Sequence, residues 1–116
     1  MIIPFVNLKK QSRIENKTIL KAVKHTLKSS NFILGDSNLH LEKKISQLKK
    51  SKYCALLNSG TDALTLGLHV LGIKRGDEVI TCSNSFIASA ASIVHLGAKP
   101  IFVDVKDDQN INPDLI

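Results

Sequence analysis

The sequence predicts an α/β domain, a mostly parallel sheet with flanking helices, present only in part. From Tyr53 onward, short apolar runs alternate with amphipathic stretches in the order strand, helix, strand, helix, strand. Those runs are nearly continuous in apolar residues, as expected of strands covered by helices on both faces. Three such strands would leave sheet edges unpaired and apolar faces bare, so the chain reads as the front part of a larger domain.

The elements follow in order. Residues 1–11 read as extended, with Pro4 excluding an early helix. Ser12 to Ser29 reads as a first helix, with Ser12 and Glu15 at capping-box spacing. Asn31 to Gly35 is a loop carrying Phe32 and Ile33. A second helix follows Asp36 or Ser37, with Leu41, Ile45 and Leu48 on one face, and ends at Lys49-Lys50. Residues 1–52 thus form a helical segment, and 53–116 the first strand–helix–strand units. In the second part, Tyr53–Leu57 is a strand and Thr61–Leu71 a helix stopped by Gly72. Lys74 to Asp77 is a turn, Glu78–Cys82 a strand, Phe86–Leu96 a helix closed by Gly97, and Pro100–Val105 a strand. Asn112-Pro113-Asp114 opens a further helix.

Composition narrows the class. The chain has 116 residues, 43% hydrophobic and 22% charged, which fits one soluble globular domain without a membrane span. Met1 to Phe5 lacks a secretory leader, and Cys54 and Cys82 fit no metal spacing and no disulfide framework. Both read as small core residues of a cytoplasmic protein. The net charge of +6 is uneven: residues 1–52 carry twelve Lys/Arg against three acids, residues 53–116 four against seven. Lys17, Lys21, Lys24 and Lys28 recur at helical spacing opposite Ile19, Leu20, Val23 and Leu27, which is a solvated helix face. Lysine predominates over arginine and no aromatics are interleaved, so a nucleic-acid surface is not expected.

The chemistry concentrates at Asn58-Ser59-Gly60-Thr61-Asp62-Ala63-Leu64, where a strand turns tightly into a helix. The first N–H groups of a helix lack intrahelical partners and carry partial positive charge. Two readings stand at this point. Thr61 and Asp62 cap the helix, or the turn holds a phosphate group.

Three further segments follow in fixed order: Leu71-Gly72-Ile73-Lys74-Arg75-Gly76-Asp77-Glu78-Val79-Ile80, Asn84-Ser85-Phe86-Ile87-Ala88-Ser89, and Gly97-Ala98-Lys99-Pro100-Ile101-Phe102-Val103-Asp104-Val105. With the turn, they closely resemble the DegT/DnrJ/EryC1/StrS family of pyridoxal-phosphate-dependent sugar aminotransferases. The opening Ile3-Pro4-Phe5-Val6-Asn7-Leu8 and the loop Asn31-Phe32-Ile33-Leu34-Gly35 match the start of the same family, so the resemblance covers nearly the whole chain.

That resemblance implies the N-terminal part of the large domain of the fold-type-I enzymes, which resemble aspartate aminotransferase and usually work as homodimers. It implies pyridoxal 5'-phosphate as cofactor, held at its phosphate by the turn at Gly60, Thr61 and Asp62. Phe86 would stack on the pyridine ring; without the family match it reads as a core aromatic on its helix. Offset stacking contributes about 0.5–1.5 kcal/mol beyond burial, enough to orient a ring. Ala88 and Ser89 fall beside it. Asn31, Phe32 and Gly35 correspond to a loop near the partner's active site, or make an ordinary helix connection. The implied reaction moves an amino group, with glutamate as donor, onto a nucleotide-linked keto-sugar in amino-sugar biosynthesis, and the Lys17–Lys28 face is a candidate for meeting the nucleotide diphosphate.

The chain departs from the family pattern at Cys82, where proline is frequent. The family's aldimine-forming lysine and the aspartate that partners the pyridine nitrogen both fall beyond residue 116. Lys74, Lys99, Lys106 and Asp104 match neither motif, so no catalytic residue is assigned. In this fold type the first strand pairs with strands supplied later. Residues 1–116 alone are therefore expected to be marginally stable and not to transaminate. Rival readings are an inactive fragment of the family and a sugar dehydratase of the same family. A Rossmann domain is disfavoured because the Gly-x-Gly-x-x-Gly spacing is missing and no acid ends the strand at Cys82.

Overall fold

A computed structural model describes residues 5–116, arranged as two compact units, 1–56 and 57–116. The expectation placed on Pro4 lies outside the described residues.

The first unit holds α1 (Leu8–Ser29) and α2 (Asp36–Lys49). Helix α1 begins four residues before Ser12. Asn7 is its cap, accepting from the Lys10 N–H at 3.1 Å. The sequence expectation at Ser12 is corrected accordingly: its hydroxyl bonds to Asn16 inside the helix, and Glu15 receives Gln11 rather than a cap amide. Residues 8–11 extend the helix because Asn7 already satisfies an orphan donor one turn earlier. The face with Lys17, Lys21, Lys24 and Lys28 is exposed, and so is the face with Ile19, Leu20, Val23 and Leu27.

Helix α2 starts at Asp36 with Gly35 at the cap position, so Asp36 is its first residue rather than a residue it follows, a correction to the sequence reading. Gly35 is buried, and a Cβ built there would lie 3.0 Å from Cγ of Asn31. A larger residue there would push the Asn31 side chain off that backbone by a few tenths of an ångström.

The expected strand Tyr53–Leu57 joins no ladder among the described residues. Instead, the Leu56 N–H donates to Oε1 of Glu42 at 2.9 Å. A strand is defined by a neighbour, and here a carboxylate occupies one of the donors a neighbour would take.

The second unit holds α3 (Gly60–Val70), β1 (Glu78–Cys82), α4 (Ala88–His95) and β2 (Lys99–Val103). Strands β1 and β2 pair in parallel, from Glu78↔Lys99 to Cys82↔Val103. Helix α4 connects them and packs on both strands and on α3. The helices end alike. Gly72 and Gly97 adopt φ of +91° and +74°, and the following Ile73 and Ala98 amides return to Leu68 and Ile93 carbonyls. Asp77 closes the turn into β1, its carboxylate accepting from Lys74 N–H at 2.9 Å.

Several boundaries differ by a residue from the sequence reading, and three places differ by more. Helix α4 starts at Ala88, so Phe86 and Ile87 lie in the β1–α4 loop, because Ser83 to Ser85 form a bend that delays the helix. Strand β2 ends at Val103; Val105 pairs antiparallel with Ile111 in a small hairpin. At Pro113–Leu115 the chain forms one 3₁₀ turn capped by Asn112.

Among the described residues of the second unit the buried set is small: Ala88, Ile93 and Ala98, with Ser92 at 0% exposure. Ser92 is satisfied by donating to the Ala88 carbonyl at 2.6 Å. Cys54 and Cys82 are half-buried free thiols rather than core residues. Around this core Leu64, Leu66, Ile80 and Phe102 remain exposed, the apolar surface an incomplete sheet leaves bare.

Candidate functional site

The site is built at the first turn of α3. Ser59, in extended conformation, caps the helix and accepts from the Asp62 N–H at 3.1 Å. The Ala63 N–H reaches the Ser59 carbonyl at 3.1 Å. Two donors remain: the Gly60 and Thr61 N–H groups have no partner among the described residues. Nothing lies within 4 Å of a Cβ built on Gly60, so the approach to these amides is open. The Thr61 side chain is half-buried, and its hydroxyl makes no hydrogen bond among the described residues. Two convergent amides, a hydroxyl and a helix dipole fit the donor set a phosphate monoester requires.

Of the three residues expected in this turn, Gly60 and Thr61 present free donors. Asp62 has its N–H taken by Ser59, and its carboxylate accepts from the Ser59 hydroxyl at 3.0 Å. The capping reading thus belongs to Ser59 with Asp62, and the phosphate reading to Gly60 with Thr61.

The second cluster lies at the carboxyl end of β1. Phe86 is 76% exposed, in the loop that precedes α4. It lines an apolar cleft of about 220 Å³ together with Cys82, Ile87, Ser89 and Phe102. Ser89, in the first turn of α4, bonds through its hydroxyl to Ser85 at 2.8 Å. Ala88 is buried beneath the loop. The two clusters are joined through Ser92, whose hydroxyl also lies 3.5 Å from the Thr61 carbonyl. Asn31, Phe32 and Gly35 belong to the first unit, with Phe32 exposed and Gly35 packed on Asn31.

Sequence reasoning passes over Ser59 as cap and over Ser92 as tie. The first had a signal, a serine three residues before an acid. The second had none, since a serine within an apolar helix looks the same whether buried or exposed.

A model of the DegT/DnrJ/EryC1/StrS aminotransferase family matches residues 13–116. The chain belongs to that family. It is 37% identical to the UDP-2-acetamido-2-deoxy-3-oxo-D-glucuronate aminotransferase of Pseudomonas aeruginosa, over 99% of this chain and 32% of that protein. Among solved structures, DesV of S. venezuelae, in complex with a ketimine intermediate, matches with a TM-score of 0.91 at 32% identity. That match covers 97% of this chain and 31% of DesV. NtdA of Bacillus subtilis, with bound cofactor PMP, matches with a TM-score of 0.89 at 34% identity, over 98% of this chain and 27% of NtdA. The chain thus spans about a third of the length of these family members. No helix among the described residues is long and apolar enough to cross a membrane.

Proposed function

We propose that this chain is the N-terminal portion of a pyridoxal-phosphate-dependent aminotransferase acting on a nucleotide-linked keto-sugar, with glutamate as donor and a homodimer as the working form. The observation that carries it is the first turn of α3, two amides and a hydroxyl without partners among the described residues beside the open Gly60, in a chain of an aminotransferase family. When bound, pyridoxal phosphate supplies the electron sink for amino-group transfer.

This chain's residues do the holding. Gly60 and Thr61 take the phosphate through backbone donors, and the absence of a side chain at Gly60 admits it. Phe86 offers one face to the pyridine ring, and Phe102 and Ile87 keep the cleft apolar around it. Asn31, Phe32 and Gly35 serve the partner's substrate side, and the lysine face of α1 contributes positive potential for a nucleotide diphosphate. Proton transfer and covalent attachment are assigned to none of the lysines present.

The test is titration of the full-length protein, of which this chain is proposed as the N-terminal portion, with pyridoxal 5'-phosphate, followed by glutamate and a nucleotide-linked 3-keto-sugar. Binding that weakens about tenfold in Thr61→Ala, with the bound phosphorus resonance shifted, supports the reading. Equal binding by Thr61→Ala and the wild-type protein, or none by either, rejects it.

A further inference from the structure

The chain leaves the carboxyl ends of β1 and β2 side by side, since Cys82 and Val103 are partners in the parallel register. One exit is the loop 83–87 that carries Phe86; the other is the hairpin 104–112. The loop is held within itself and to the start of α4, by the Ser85 N–H on the Ser83 carbonyl at 3.0 Å, the Ser89 N–H on the Phe86 carbonyl at 3.0 Å and the Ser85–Ser89 hydroxyl pair, but little ties it to the neighbouring exit. Ser83 extends the ladder by a long 3.4 Å bond to the Val103 carbonyl, and Phe86 and Ile87 are both exposed. The hairpin is closed several times over. Val105 pairs with Ile111, the Lys106 N–H donates to the Asn110 carbonyl at 2.9 Å, and the Asn112 N–H donates to the Asp104 carbonyl at 3.0 Å. At its tip Gln109 sits at φ +65°, left-handed backbone that a glutamine rarely adopts. There its side chain accepts from Nδ2 of Asn84 at 2.8 Å, across 25 residues of sequence.

We infer that Gln109 is a positioning residue: through Asn84 it ties the loop carrying Phe86 to the stiff hairpin and so sets the ring-stacking face of the cofactor cleft. The inference rests on the cofactor reading above. A strained backbone at 109, retained where glycine would relieve it, marks a position where the side chain matters more than local ease. Phe86 touches the cofactor; Gln109 acts only through the loop, and its effect therefore vanishes when Phe86 is absent.

The expected size follows from one exposed hydrogen bond, a two- to tenfold effect, on the order of 0.5–1.5 kcal/mol. In the full chain without cofactor, Gln109→Ala speeds amide hydrogen exchange of residues 83–87 by about that factor, with α3 unchanged. Gln109→Gly, which relaxes the hairpin, speeds the loop equally while the hairpin amides stay protected or gain protection. Gln109→Glu keeps an acceptor for Asn84 and restores slow exchange. With pyridoxal 5'-phosphate, Gln109→Ala weakens binding two- to tenfold and diminishes the induced circular dichroism of the cofactor band, and adds nothing in a Phe86→Ala background. Loop exchange and cofactor dichroism unchanged in Gln109→Ala, while Thr61→Ala still weakens binding, overturn the positioning role and leave the cofactor reading intact. A wild-type protein that takes up no pyridoxal phosphate overturns both.

Discussion

Ser59 and Asp62 cap α3 reciprocally, the serine oxygen accepting from the Asp62 amide at 3.1 Å and its hydroxyl donating to the Asp62 carboxylate at 3.0 Å. The consequence is a division of labour within one turn. The third donor of the helix is consumed internally, and the first two are left for a ligand. Ser59→Ala removes the cap and is expected to cost about 1 kcal/mol locally, a roughly fivefold faster exchange of the amides of residues 62–64. Exchange of that segment identical to wild type would show that the cap contributes nothing.

Gly60 separates stability from binding. In a helix first turn, alanine is favoured over glycine by up to about 0.5–1 kcal/mol, and the space beside Gly60 accepts a methyl group. Gly60→Ala is therefore expected to slow exchange of the first turn of α3 slightly. On the proposed cofactor reading the same methyl would stand where the phosphate approaches, and pyridoxal phosphate affinity is then expected to fall about tenfold or more. Opposite signs for the two measurements are the expected result; a parallel loss of both would point to simple unfolding.

How much of this was legible beforehand depends on how local the cause is. Strand β1 is set by neighbours within a few residues, the Lys74–Asp77 turn, and agrees with the sequence reading, whereas α2 opens on a Gly35 cap slightly ahead of the reading that it follows Asp36 or Ser37. Tyr53–Leu57 has the composition of a strand, but pairing is a long-range property, and the partner its Leu56 amide finds is a glutamate fourteen residues earlier. The start of α1 was misplaced because Ser12 and Glu15 have capping-box spacing while Asn7, one turn earlier, had already capped the helix. Phe86 was assigned to the helix by its apolar neighbours, and the bend at Ser83–Ser85 moved it into the loop. The turn into α3 at Gly60 and Thr61 is legible as a helix start, since its signals are contiguous; the ties from Ser92 and Gln109 are not contiguous with anything they hold.

Glu42 tests the segment that leads into that turn. Its carboxylate accepts from the Leu56 N–H in a partly buried setting, and bonds to charged groups contribute about 1.5–3 kcal/mol. Glu42→Ala leaves that amide without its partner and is expected to accelerate Leu56 exchange at least tenfold, with Glu42→Gln intermediate. An unchanged Leu56 amide in Glu42→Ala would mean that water replaces the carboxylate without loss.

The hairpin tip supplies a pH dependence with a definite sign. The Asn110 N–H, and then the Asn110 side-chain amide, donate to the Asp108 carboxylate and hold its pKa below the usual range. A carboxylate with a depressed folded pKa contributes stability that is fully present above its unfolded value of roughly 3.9 and is lost as pH falls through the folded value. Asp108 is fully exposed, so the effect is local to the tip. Below about pH 4 the Asn110 amide is expected to lose protection progressively in wild type, whereas Asp108→Asn shows the acid-like level at every pH. A flat amide profile for wild type down to pH 3 would show that Asp108 does not hold the tip.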